Sequence, residues 1–97
     1  MVNKIKLEGN KDFKDFMKDN EETFWELVIE SAIKLYESDL EECVSFILYG
    51  GAINGEKKYV VNKNNLEEVV EKAIPKMEEY EKYELCSKLL EIKNNII

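Results

Sequence analysis

The sequence predicts a mostly helical α+β fold: a compact domain of four to five helices with a short N-terminal strand and a small β-hairpin at Asn54-Gly55. Apolar residues recur at helical spacing along most of the chain. An Asn-Gly dipeptide, the strongest short hairpin signal, interrupts that spacing once. The length of 97 residues suits one small domain, so residues 1–97 are expected to form a single unit.

The first two predicted elements are a strand and a short helix. Apolar residues and lysines alternate over residues 2–8, as on a half-buried strand. Gly9-Asn10 breaks this pattern, and Asn10 is a suitable N-cap for a helix with Phe13, Phe16 and Met17 on its inner face. The N-terminus therefore predicts a short strand followed by a short helix.

The longest helix is predicted over about residues 21–38. Asp19 and Glu22 have the spacing of a capping box, which marks the start of a helix. The apolar face follows at helical intervals and consists of Phe24, Val28, Ala32 and Leu35, widened by Trp25, Ile29 and Tyr36. This face is expected to lie against the core.

Residues 40–53 admit two interpretations. A helix over 40–49 is favoured by apolar residues at i, i+3, i+4, i+7 and i+8, with Gly50-Gly51 as its end: Leu40, Cys43, Val44, Ile47 and Leu48. A short hairpin across Asn54-Gly55 would follow, with Lys57–Val61 as its return strand. In the alternative, Phe46–Ile53 is itself the first strand of that hairpin. We prefer the helix.

The last third predicts two helices. Asn64 and Glu67 have cap spacing, and helical periodicity continues to Pro75, which ends or kinks the helix. A final helix is predicted from Lys76 to about Lys93. Its C-terminal half places four apolar residues on one face: Leu85, Leu89, Ile92 and Ile96.

The composition argues against an enzyme. The chain has no His and no Arg, so all 14 positive charges are lysines, and the net charge is −7. Without His, the Ser-His and Cys-His nucleophile pairs and His-ligated zinc are excluded. We therefore expect no catalytic residue, no cofactor and no metal site. A net negative charge also argues against direct binding to nucleic acid or to an anionic membrane.

Two further observations bear on the compartment. Cys43 and Cys86 are too few and too isolated for a disulfide scaffold, which indicates thiols in a reducing compartment, although a bridge between them stays open. The N-terminus lacks the apolar run of a signal peptide, and Phe46–Ile53 is too short to cross a bilayer. We expect a cytoplasmic protein.

The negative charge is concentrated in the middle of the chain. Residues 21–56 carry nine acids and one lysine, whereas the flanking segments are close to neutral. On a helical wheel, four glutamates fall within an arc of about 80°; we call them the acidic stripe: Glu22, Glu26, Glu30 and Glu37. Like charges one turn apart cost roughly 0.2–0.5 kcal/mol per pair, which favours selection for a cationic partner.

A solvated helix face is the alternative explanation of this stripe. The residues predicted to bind a partner are the stripe and the acids that follow it: Glu22, Glu26, Glu30, Glu37, Asp39, Glu41 and Glu42.

One segment carries a resemblance to known proteins. Tyr80–Lys93 is similar to a helical tail of Y-E-x-C-x-x-L-x-x-I type on small phage and mobile-element proteins, and it resembles the UVR helical motif without that motif's usual arginine. The chain as a whole resembles small acidic phage accessory proteins, among them anti-CRISPR inhibitors. This resemblance implies an inhibitor that presents acidic side chains to a nucleic-acid-binding enzyme.

The sequence thus predicts a non-enzymatic, acidic protein–protein interaction module that mimics nucleic acid at the basic site of a partner enzyme or effector. Two alternatives stay open. One is an immunity or antitoxin protein that neutralises a cognate toxin. The other is a structural component that forms a homodimer or larger homo-oligomer through the apolar face of the last helix.

Overall fold

The computed structural model describes residues 3–95, which form four helices and a mixed sheet of three strands. Val2 of the predicted strand and Ile96 of the predicted C-terminal face lie outside these residues. In chain order the elements are β1 (Asn3–Leu7), α1 (Phe13–Asp19), α2 (Glu21–Tyr36), β2 (Glu42–Gly50), β3 (Glu56–Asn62), α3 (Leu66–Glu79) and α4 (Tyr83–Asn95).

The predicted fold class, mostly α with a short strand and a small hairpin, is wrong in its β content. The described residues are 54% helical and 23% strand, a compact α+β domain. All the strands join one sheet in the order β1-β2-β3, with β1 parallel and β3 antiparallel to the central β2. The N-terminal strand is thus an integral edge of the sheet.

The preferred helix over 40–49 is also wrong, because this segment is β2. As a central strand, β2 is buried on both faces, and the four consecutive residues Ser45–Leu48 are all buried. A continuous apolar run satisfies helical spacing as well as strand spacing, so periodicity alone does not separate the two. The alternative hairpin was the better interpretation, although the strand runs over Glu42–Gly50 rather than Phe46–Ile53.

The hairpin itself is confirmed, with β3 returning antiparallel to β2 after Asn54-Gly55. Its loop also contacts the β1–α1 loop, because the Ala52 amide donates to the Lys11 carbonyl at 2.9 Å. Gly51, at φ 54°, makes this approach possible, since a Cβ there would overlap the Lys11 carbonyl oxygen. The two loops are thereby held together at the hairpin end of the sheet.

The predicted helix caps are mostly wrong. The N-cap of α2 is Asn20 rather than Asp19, the N-cap of α3 is Asn65 rather than Asn64, and neither forms a side-chain cap hydrogen bond. The N-cap of α1 is Asp12 rather than Asn10, and it forms a capping box with Asp15. Helix α2 confirms the predicted long helix. Helix α3 continues through Pro75, so the proline does not end it, and α4 begins at Tyr83 rather than Lys76.

The turn between α3 and α4 is a Schellman motif. The Lys82 amide donates to the Met77 carbonyl at 2.8 Å, and the Glu81 amide donates to the Glu78 carbonyl at 3.1 Å. Glu81 occupies the left-handed position of this motif, with φ 59°. Glycine normally fills that position because an L side chain is strained there.

The core lies between the sheet and the helices. It contains the predicted apolar face of α2 and an aromatic cluster in which Phe24 meets Phe46 and Tyr59 edge-on. Leu89 and Ile92 of α4 are fully buried in the same core. Cys43 and Cys86 are both free thiols. Within residues 3–95, no helix combines the length and the apolarity that crossing a bilayer requires.

Candidate functional site

The seven predicted partner-binding acids are all exposed. Glu22, Glu26 and Glu30 lie along α2, and Glu37 is its C-cap. Asp39 and Glu41 belong to the loop that follows, and Glu42 begins β2. The structure thus gives the seven acids two settings, a helix surface and a loop.

Lysines from α4 and the turn before it neutralise much of the acidic stripe. Lys82 bridges Glu26 and Glu22, the latter at 3.1 Å, and Lys88 pairs with Glu37 at 3.2 Å. These pairs link α2 to the turn before α4 and to α4 itself. Exposed ion pairs of this kind are weak, so they leave the carboxylates available to a stronger cationic ligand.

A third lysine links α2 to the end of α3. Lys76 and the Tyr80 hydroxyl both donate to Glu21 Oε1, at 2.8 and 2.6 Å. The hydrogen bond from Lys76, followed by that from Tyr80, lowers the pKa of the Glu21 carboxyl. The hydrogen bond to Glu21 and burial raise the pKa of Tyr80 to about 12. Because Glu21 has partners on α3, it belongs to the interhelical contact rather than to an open acidic surface.

Sequence reasoning missed these contacts. It compared charges within segments of the chain, whereas the lysines come from a segment more than 50 positions away. The one relevant pattern in the sequence is that Lys76, Lys82 and Lys88 recur at equal intervals through the C-terminal third. Only the tertiary fold places these lysines opposite the glutamates of α2.

The most concentrated negative charge lies where α2 passes into β2, in residues 37–42, from the C-cap of α2 to the first residue of β2; we call this segment the acidic loop. It holds four carboxylates and no lysine. Glu41 is paired with Lys63 at 3.7 Å, yet its side chain remains 85% exposed. Asp39 and Glu42, like Glu30 on the helix, form no ion pair with any residue from 3 to 95. The negative end of the α2 dipole adds to the potential here.

The acidic loop also exposes a large apolar side chain. Leu40 is 49% exposed between Asp39 and Glu41. Beside the loop, a cleft of about 360 Å³ separates the end of α2 from the start of α3; its lining is Leu35, Tyr36, Ser38, Lys63, Asn64, Leu66 and Glu67. Apolar surface among like charges is typical of a contact surface.

Among residues 3–95, no cluster of three or more His, Cys, Asp or Glu side chains is arranged to hold a metal ion. The chain matches no family model, no curated protein and no solved structure.

Proposed function

We propose that this chain is a non-enzymatic interaction module whose acidic surface occupies a basic site on a partner protein. The partner class is a nucleic-acid-binding enzyme or effector, whose lysines and arginines would accept carboxylates in place of phosphates. In this role the chain acts as an inhibitor of the phage accessory type. An immunity protein that neutralises a basic toxin would use the same surface, and the identity of the partner separates the two.

The observation that carries the proposal is the acidic loop, where carboxylates surround the exposed Leu40. We place the centre of the surface there rather than on the acidic stripe. Asp39 and Glu42 have no intramolecular cation among residues 3–95, whereas Glu22 and Glu26 share Lys82. A cationic partner therefore gains more from the loop than from the stripe.

The acidic stripe meets the acidic loop at Glu37, which belongs to both, and Glu30 continues the stripe one to two turns back along α2. A partner that reaches them must compete with Lys88 for Glu37. Because this ion pair is exposed, displacing Lys88 costs little free energy. The stripe thus extends the surface, and the loop anchors it.

The homo-oligomer suggested by the apolar face of α4 finds no support in the core packing. Leu89 and Ile92 are fully buried within their own chain, so they offer no exposed seam.

The test uses captured partner and two matched triple variants. The loop variant removes three charges from the acidic loop and combines Asp39→Asn, Glu41→Gln and Glu42→Gln. The control variant removes three exposed charges elsewhere and combines Glu8→Gln, Glu71→Gln and Glu78→Gln. We expect the loop variant to bind at least tenfold more weakly and with a shallower salt dependence, and the control to bind as the unchanged protein does. Equal loss in both variants, or no loss in the loop variant, contradicts the proposal.

A further inference from the structure

The hairpin end of the sheet is incompletely covered by the helices. Two cavities of about 270 and 500 Å³ adjoin there, and they share Phe13 and Lys57 in their linings. The smaller one is lined by Phe46, Leu48 and Tyr59 as well. Helix α1, which spans only Phe13–Asp19, is too short to close this part of the sheet. We call the two cavities together the basic groove.

The inner wall of the groove is aromatic and ordered. Phe13 stacks on Tyr59 with ring centroids 6.2 Å apart, and Tyr59 stacks on Phe46 at 5.4 Å. Phe13 and Tyr59 are only half-buried, so part of this aromatic surface is open. Such a surface favours an apolar side chain of a ligand.

The rim of the groove is positive. Lys14, Lys57 and Lys58 line it, all three are exposed, and none pairs with an acid between residues 3 and 95. Asp12 also lines the groove, but its carboxylate accepts the Asp15 amide in the capping box of α1. The groove therefore suits a ligand that joins an apolar side chain to several carboxylates.

The acidic loop of the same chain has that chemistry. Leu40 supplies an exposed apolar side chain, and Asp39, Glu41 and Glu42 supply the neighbouring carboxylates. The loop cannot reach the groove of its own chain. The loop ends where β2 begins, and Phe46, the groove residue nearest to it along β2, lies four residues beyond Glu42, roughly 13 Å away.

We propose that the acidic loop of one copy docks into the basic groove of a second copy. Leu40 contacts the Phe13 and Tyr59 rings, and the loop carboxylates face Lys14 and Lys57, while Lys58 adds positive charge from the edge of the sheet. The two surfaces differ, so the contact is head-to-tail and extends to further copies unless a ring closes. A single loop in a groove buries little area, so the association is weak and depends on concentration.

This inference is independent of the proposed partner, although both use the acidic loop. A loop engaged with a second copy is withheld from a foreign basic surface. Self-association is measured on the purified protein alone, so its failure leaves the proposed function untouched.

Sedimentation velocity over a concentration series tests the inference with two neutral variants. The groove variant combines Lys14→Gln, Lys57→Gln and Lys58→Gln. The quadruple loop variant adds Leu40→Ser to the triple variant above, giving Asp39→Asn, Leu40→Ser, Glu41→Gln and Glu42→Gln. All seven positions are exposed, and circular dichroism verifies that both variants fold.

We expect the weight-average mass of the unchanged protein to rise from 11.4 kDa to at least twice that value with concentration, and less so in high salt. Each variant alone should stay monomeric. An equimolar mixture should form one-to-one dimers and nothing larger, because it retains one intact loop and one intact groove per pair. The control with Glu8→Gln, Glu71→Gln and Glu78→Gln should associate as the unchanged protein does.

Three outcomes overturn the proposal. One is a monomer at every concentration up to about 1 mM, the weak end of measurable association. Another is self-association that neither variant reduces. The third is a mixture of the two variants that stays monomeric, because a head-to-tail contact must form there.

Discussion

Replacing Glu81 with glycine should stabilise the protein. Glu81 holds φ 59° at the end of α3, a backbone conformation that costs an L residue roughly 1–2 kcal/mol. Glycine relieves this cost but adds about 0.4–1 kcal/mol of unfolded-chain entropy. The net gain is about 0.5–1 kcal/mol, which raises Tm by about 2–8 °C for a chain of this size.

The assay is thermal and urea unfolding of Glu81→Gly beside two controls. Glu81→Gln removes the charge but keeps the Cβ, so it should change the free energy of unfolding by less than about 0.5 kcal/mol. Glu78→Gly lies one turn earlier, inside α3, and should cost about 1 kcal/mol. If Glu81→Gly lowers Tm, or if Glu81→Gln raises it equally, backbone strain is not the cause.

Three more predictions concern the sheet and the helix contacts. Gly51→Ala should destabilise the fold by more than about 2 kcal/mol, because its Cβ would overlap the Lys11 carbonyl oxygen. Gly55→Ala, whose Cβ meets open space, should cost only about 1 kcal/mol. Similar losses for the two variants in urea unfolding would contradict the loop contact. Ser45→Ala should leave the free energy of unfolding unchanged or raise it by up to about 1 kcal/mol, because the buried Ser45 hydroxyl has no hydrogen-bond partner among residues 3–95. A clear decrease in the free energy of unfolding would refute this. The unchanged protein should be more stable than Tyr80→Phe below pH 10, and this advantage should disappear as the pH rises towards 12. The reason is that the folded state holds the phenol proton of Tyr80 more tightly than the unfolded state does. A constant difference in unfolding free energy from pH 7 to 11.5 would show that the Glu21 contact is not responsible.

Sequence patterns predicted those elements whose structure depends on interactions between residues a few positions apart. The apolar face of α2 and the turn at Asn54-Gly55 were correct, because each depends on residues a few positions apart. Strand β2 was only the alternative to the preferred helix, for a definite reason. Its interior is apolar on both faces, so the alternation that identifies a half-buried strand is absent. Its central position depends on β1, which pairs from a distant part of the chain.

The candidate site divides in the same way. The excess of acids in the middle third is a property of the sequence, and the exposure of those on α2 follows from helical geometry. Which carboxylates keep an intramolecular cation depends on where Lys82 and Lys88 return in space. That the acidic loop binds a partner stays a prediction. Lys57-Lys58 is a compact positive spot in the sequence, but the shape of the basic groove had no sequence signal, since it arises from the short reach of α1 over the sheet.

The pairing of β1 with β2 has a consequence for the order of folding. Asn3 and Phe46 are opposite each other although about 40 residues separate them, whereas the hairpin and the α3–α4 pair are local in sequence. Closing so long a loop costs chain entropy. The pairing of β1 with β2 offsets this cost only once the intervening helices are in place. The amide protons of β1 should therefore exchange with deuterium sooner than those of β2, and the N-terminal edge should be the last part of the native structure to assemble.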